Sequence, residues 1–212
     1  MKAIPRILMI AAVASLLMLF VFPMWRITLF APQYPDGVTM YIWINQITGE
    51  TPGTLQNINI LNHYVGMKYI EPDSIPELVY FPYIIMALAA LGLLAAILNK
   101  AWGYLSWVIL FAILAALGLY DFYLWEYDYG HNLSPTAPIK IPGASFQPPV
   151  FGTKDILNFV AQSYPHTGGY FAGLAALLAA AAWWVKGKSS KVKVQSSKLK
   201  AQSRKLKARR LK

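Results

Sequence analysis

Cysteine is absent from all 212 residues. That excludes disulfides, thiolate metal sites and a cysteine nucleophile together. Charge is scarce as well: 13% of the residues are charged and 57% are hydrophobic. A soluble domain carries about a quarter charged residues, so this balance points to a bilayer and leaves no room for a large soluble domain. Histidine occurs only at His63, His131 and His166. No nucleophile and base stand at a recognisable catalytic spacing, so the sequence reads as non-enzymatic.

Acids are missing from one part of the chain altogether. From Lys186 to Lys212 there are twelve Lys or Arg and no Asp or Glu, so the formal net charge of +10 belongs to the C-terminal end. The rest holds seven basic and nine acidic residues. The basic end repeats every seven residues, with Val192, Leu199 and Leu206 at equivalent positions. Its composition predicts a solvated, mostly disordered tail touching anionic lipid, at about 1 kcal/mol per basic residue near such a surface. Nucleic acid ranks below lipid as its partner, because a basic block alone is weakly specific.

Long apolar runs, by contrast, are plentiful, and the pattern predicts a mainly α fold: an integral four-helix membrane bundle. Ile7 to Trp25 is nineteen residues without a charge until Arg26, following Lys2 and Arg6. Phe22-Pro23-Met24-Trp25 offers no small-x-small cleavage site, so this first span, within residues 1–29, is expected to be retained. Val79 to Leu98 reads as the second span, and a third starts at Trp102, reaching Leu119 and continuing as helix through Trp125, so 79–125 holds two antiparallel helices. Gly168 to Val185 is the fourth, with Ala172, Ala176 and Ala180 as a small-residue ridge, and 186–212 is the basic tail.

Two loops separate these spans. In loop 30–78, Val38 to Ile44 alternates apolar and polar, and Leu55 to Leu61 is expected to return beside it as a small β-hairpin. In the proline-rich loop 126–167, Thr153 and Asp155 suit the start of a short interfacial helix with Ile156, Leu157, Phe159 and Val160 on its apolar face. Four crossings put Lys2, Arg6, Lys100 and the tail on one side, fifteen basic residues with no acid, and all nine acids on the other. By the positive-inside rule both termini are cytoplasmic and both loops lie outside, in a multi-pass membrane protein.

The remaining chemistry-bearing residues lie in or beside the two outer loops. The spans carry no acid beyond Asp121 at a helix end, and no histidine lies within one, which argues against a transport path and against haem held between helices. His63 and Met67 are four apart and share a face if that stretch is helical, although Gly66 disfavours it. Imidazole with thioether suits copper, Cu(I) above all. Asp128 and His131 are three apart, and His166 stands just before the fourth span. The candidate metal ligands are therefore His63, Met67, Asp128, His131 and His166, weighed against the plainer expectation that histidines in tyrosine-rich loops only make hydrogen bonds. The aromatic, proline-rich stretch around Tyr123, Trp125, Tyr127, Tyr129 and Phe146 suits a docking surface equally with a cover for the hairpin.

The phrases WRITLFAPQYPDG (25–37), LNHYVGMKYI (61–70) and DFYLWEYDYGHNLSPTAPIKIPGASFQPPVFG (121–152) resemble a bacterial family of small four-pass membrane proteins. Its members are found in gene neighbourhoods for nitrous-oxide reductase and its copper-site maturation. The resemblance covers most of residues 1–185 and not the lysine-rich repeat. It implies an inner-membrane accessory role in assembly or docking of a periplasmic copper enzyme. A structural subunit of a membrane respiratory complex is the alternative.

Overall fold

A computed structural model describes residues 3–143 and 145–210. Lys2 lies outside them, as do the side chains of Val192 and Leu206. The chain is mainly helical, and three helices are long and apolar enough to cross a membrane: α3 (Glu77–Leu98), α4 (Ala101–His131) and the first part of α5, Thr167–Ser189. The expected first span is shorter than its composition promises. Helix α1 (Ile4–Leu17) and a 3-10 turn (Met18–Phe20) span 17 mostly apolar residues, and Trp25 already belongs to a strand. At 1.5 Å per residue that is about 25 Å, against about 20 residues for a full crossing. Pro23 lacks the amide that would carry the helix on.

Short as it is, α1 sits at the centre of the bundle. Met9, Ala12 and Leu16 are fully buried, packed with Leu88, Tyr104 and Trp107. Ala175, Ala179 and Ala182 of α5 are equally buried and let it approach closely; the ridge lies next to, not on, the expected Ala172, Ala176 and Ala180. Polar ties cross the apolar interior: the Ser15 hydroxyl donates to the Phe171 carbonyl at 2.7 Å and the Trp107 indole to the Leu88 carbonyl at 2.8 Å. Asn99, in the left-handed region at φ 50°, closes α3 and turns the chain into α4.

A five-stranded antiparallel sheet stands at one end of the bundle, in the order β3-β2-β1-β5-β4. The strands are β1 (Trp25–Ala31), β2 (Tyr34–Ile42), β3 (Ile47–Gly49), β4 (Gly152–Ile156) and β5 (Phe159–Pro165). The alternation from Val38 does mark a strand, but its partners are β1 and β3. Leu55 to Leu61 is no strand. It lies in α2 (Thr54–Val65), whose Ile58, Asn62 and Val65 turn inward at helical spacing. The expected interfacial helix after Thr153 is also overturned: those residues form the β4–β5 hairpin, with Leu157 at φ 57° in its two-residue turn. Strand β5 pairs with β1, which gives Phe159–Pro165 a use for its amides that no local helix could match.

The central strand β1 follows α1 and its 3-10 turn, and its neighbour β5 leads directly into α5, so the sheet is fixed to the bundle through its middle. Amides of His166 and Gly168 donate to the carbonyls of Met24 and Pro23 at 2.9 and 2.8 Å and lock that junction. On the inner face Ile27, Val38, Met40, Ile42 and Ile47 pack with Ile58, Ile70, Leu78 and Tyr129.

Helix α4 reaches far into this second layer. Its 31 residues extend about 46 Å, well past a hydrocarbon core of about 30 Å. Ala101–Tyr120 suffices to cross, and the stretch from Asp121 to His131 stands against the sheet, where Phe122 meets Trp25 ring to ring at 5.9 Å. The loop expected from residue 126 therefore begins only after His131. Helix α5 likewise continues to Arg210, so the basic repeat is helical where a disordered tail was expected. Lys, Arg, Leu, Ala and Gln are good helix formers, and no proline interrupts them.

Candidate functional site

The end of α2 and the end of α4 are laced together away from the bundle. Lys68 Nζ bonds Asp128 Oδ2 at 2.5 Å, the Tyr129 hydroxyl donates to the Tyr69 carbonyl at 2.9 Å, and amides of Ser134 and Ile139 donate to the carbonyls of Gly66 and Tyr64. Gly66, at φ 84°, ends α2, and the Met67 amide returns to the Asn62 carbonyl. The lacing leaves aromatic side chains outside. Tyr64 and Tyr69 are each 50% exposed, and Tyr127 46%. His63 lies between Tyr64 and Tyr69, its ring centroid about 6 Å from each, and His131 stacks on Tyr127 at 4.0 Å.

The five expected metal ligands divide between two places. The segments carrying His63, Met67, Asp128 and His131 come together in this lacing, whereas His166 belongs to the β5–α5 junction beside Tyr41. Because α2 stops at Val65, Met67 does not continue the helix face of His63, and it is partly buried between two apolar clusters. The Lys68 ammonium and the Asn132 amide hold Asp128 below the usual carboxylate range. His131 Nδ1 is 3.0 Å from the Tyr127 carbonyl. Among the described residues no three His, Asp or Glu side chains gather as a metal site would require. Two open depressions, of about 340 and 320 Å³, lie beside the start of α2 and contain none of the histidines.

Sequence reasoning missed the most unusual side chain of the sheet domain. Glu126 is 0% exposed, and neither carboxylate oxygen has a hydrogen-bond partner. Burial pushes its carboxyl up to about 8, with Lys154 pulling weakly the other way. An unpaired carboxylate is costly to bury, so the group is held neutral at pH 7. One turn further on, Gly130 accepts the Phe146 amide at 3.0 Å, which seats an extended strap, residues 145–150, against the helix. The strap is fastened again by Lys154 Nζ on the Gln147 carbonyl at 3.0 Å and by Ser163 Oγ on the Val150 carbonyl at 3.1 Å. A readable sign existed: Phe122, Glu126 and Gly130 follow at four-residue spacing, so continuing the helix past Trp125 carries Glu126 onto the inward face.

No family model, curated protein or solved structure matches this chain.

Proposed function

We propose that the protein is a non-enzymatic accessory protein of a bacterial inner membrane, crossing it four times with both termini cytoplasmic. Its outer sheet domain serves the docking or assembly of a periplasmic redox metalloprotein. The observation that carries this reading is the exposed aromatic face of His63, Tyr64, Tyr69, Tyr127 and His131 on a rigid support. Aromatic side chains lose little entropy on contact and are favoured anchors at interfaces. The resemblance to proteins of nitrous-oxide reductase neighbourhoods supplies the partner class, a copper enzyme. Copper contact through His63, Met67 and His131 is the narrower form of the proposal, without His166, which stands apart at the β5–α5 junction; docking does not depend on it.

The experiment replaces Tyr64 and Tyr127 together by alanine and measures copper content and activity of the partner enzyme in the same cells. Both side chains are exposed, so the fold is retained, and the expected result is a fall of at least fivefold. Undiminished maturation overturns the docking reading. One feature favours the second reading, a subunit of a respiratory complex: Ile109, Ile113, Leu117 and Tyr120 of α4 are each more than half exposed along its crossing half. Stoichiometric co-purification with a large complex, independent of copper, would establish that reading instead.

A further inference from the structure

The outer face of the sheet carries a second polar constellation, separate from the aromatic face. Strand alternation turns Trp25 and Ile27 inward and Arg26 and Thr28 outward. The register sets Arg26 directly between Tyr41 of β2 and Tyr164 of β5. His166 lies edge-on to Tyr41 at 5.1 Å, and its Nδ1 is enclosed without a partner. Burial, then the Arg26 charge, hold that imidazole below its usual value while a hydrogen bond with the Pro23 backbone pulls the other way, so the ring adds no second positive charge beside Arg26. Arg26 itself is exposed. Among the described residues the one ion pair is Lys68 with Asp128, so no carboxylate neutralises the guanidinium.

Chain connectivity fixes the height of this constellation. His166 immediately precedes the membrane-crossing part of α5, and Arg26 stands six residues beyond Phe20, where the helix of α1 and its 3-10 turn end. The Met24–His166 and Pro23–Gly168 bonds clamp the two connections side by side. The cluster is therefore held at the layer where lipid phosphates lie. A planar guanidinium presents paired donors that match phosphate oxygens, and tyrosines are at home at that depth.

We propose that Arg26, flanked by Tyr41 and Tyr164 and backed by the His166 ring, forms a headgroup site for the phosphodiester of an anionic lipid, which pins the sheet domain at a fixed tilt on the bilayer. The inference rests on the membrane placement of α5 and not on the docking partner. Ordinary snorkelling of an interfacial arginine makes a different prediction, because lysine snorkels as well as arginine does but cannot form the paired contact.

The test uses the full chain in neutral detergent with about 0.5 M salt, where the charge of the basic tail is screened. Native mass spectrometry follows binding of short-chain phosphatidylglycerol, with phosphatidylcholine of the same chain length and inorganic phosphate as separate arms. The wild type is expected to hold one phosphatidylglycerol, with affinity reduced at least tenfold in both R26Q and R26K and unchanged in K140Q. Full retention by R26K, or equal binding of phosphatidylcholine, overturns the site in favour of snorkelling. Displacement of the lipid by a few millimolar phosphate overturns the lipid assignment in favour of a free anion.

Discussion

Replacing Glu126 with glutamine is expected to stabilise the protein by roughly 3 kcal/mol at pH 7 and by nothing measurable near pH 4. The folded carboxyl releases its proton at about 8 instead of the ordinary 4.5, because it is fully buried and unpaired. Between those values the unfolded chain has lost a proton that the folded chain keeps. Folded stability therefore falls as pH rises, by about 1.4 kcal/mol per unit, and levels off once pH exceeds the folded value. Below about pH 4 both states are protonated and the variant gains nothing. Glutamine keeps the shape and removes the ionisation. Denaturant or thermal unfolding in micelles at several pH values measures the difference. A gain that is the same at pH 4 and pH 8 would show that ionisation at this position is not the cause.

Gly130→Ala is expected to destabilise the protein by about 2 kcal/mol, opposite in sign to the usual effect of alanine in a helix. Propensity alone would favour alanine by about 1 kcal/mol. At this position, however, an added methyl overlaps the backbone nitrogen and Cα of Gln147, which are not the far end of a flexible side chain. Overpacking of that kind costs about 1–3 kcal/mol, and relief requires the strap to lift. Glu126 lies one turn before Gly130 on the same helix, so lifting the strap is expected to wet it as well. The loss in Gly130→Ala should therefore shrink toward pH 8, and its combination with Glu126→Gln should be non-additive by 1 kcal/mol or so, as for groups that share one contact. Additive effects with no pH dependence would separate the strap from the carboxyl.

The apolar helices and the strand beginning near Val38 were legible because their signals are local. Length and lack of charge reveal α3, the crossing half of α4 and the start of α5, and alternation reveals most of β2. What escaped depends on contacts far along the chain. Strand β1 begins two residues after Pro23 and reads as the tail of an apolar run until β5, more than a hundred residues later, pairs with it. Thr153 to Val160 has the capping and apolar residues of a short helix, and only that distant partner makes a strand the better answer. Leu55 to Leu61 shows a weak alternation that helix packing overrides. Asn59 and Asn62 spend their side chains on the backbone of Ile70 and Lys68, which ties α2 to the chain that follows it.

The candidate site was legible only in part for the same reason. Residue chemistry pointed to His63, Asp128, His131 and Tyr127 but not to Tyr64 or Tyr69, and these segments do lie together, through bonds such as Lys68 to Asp128 that join positions sixty apart. Type and spacing alone did not reveal that α2 stops before Met67, nor that His166 belongs to the membrane-proximal junction. Glu126 was hidden because nothing local reveals that Gly130, one turn on, carries a strap from sixteen residues downstream, or that Lys154 beyond it acts on the carboxyl.

The most direct measurement exploits the absence of cysteine. Single cysteines placed at His63, His131, Asn158 and Ser196 are exposed on the folded chain, and each is the only thiol present. In intact cells treated with a membrane-impermeant maleimide, positions 63, 131 and 158 are expected to label, and position 196 only after the membrane is opened. Labelling of 63 and 131 from opposite sides of the bilayer, or of 196 together with them, would contradict an outer sheet domain anchored opposite a cytoplasmic basic helix.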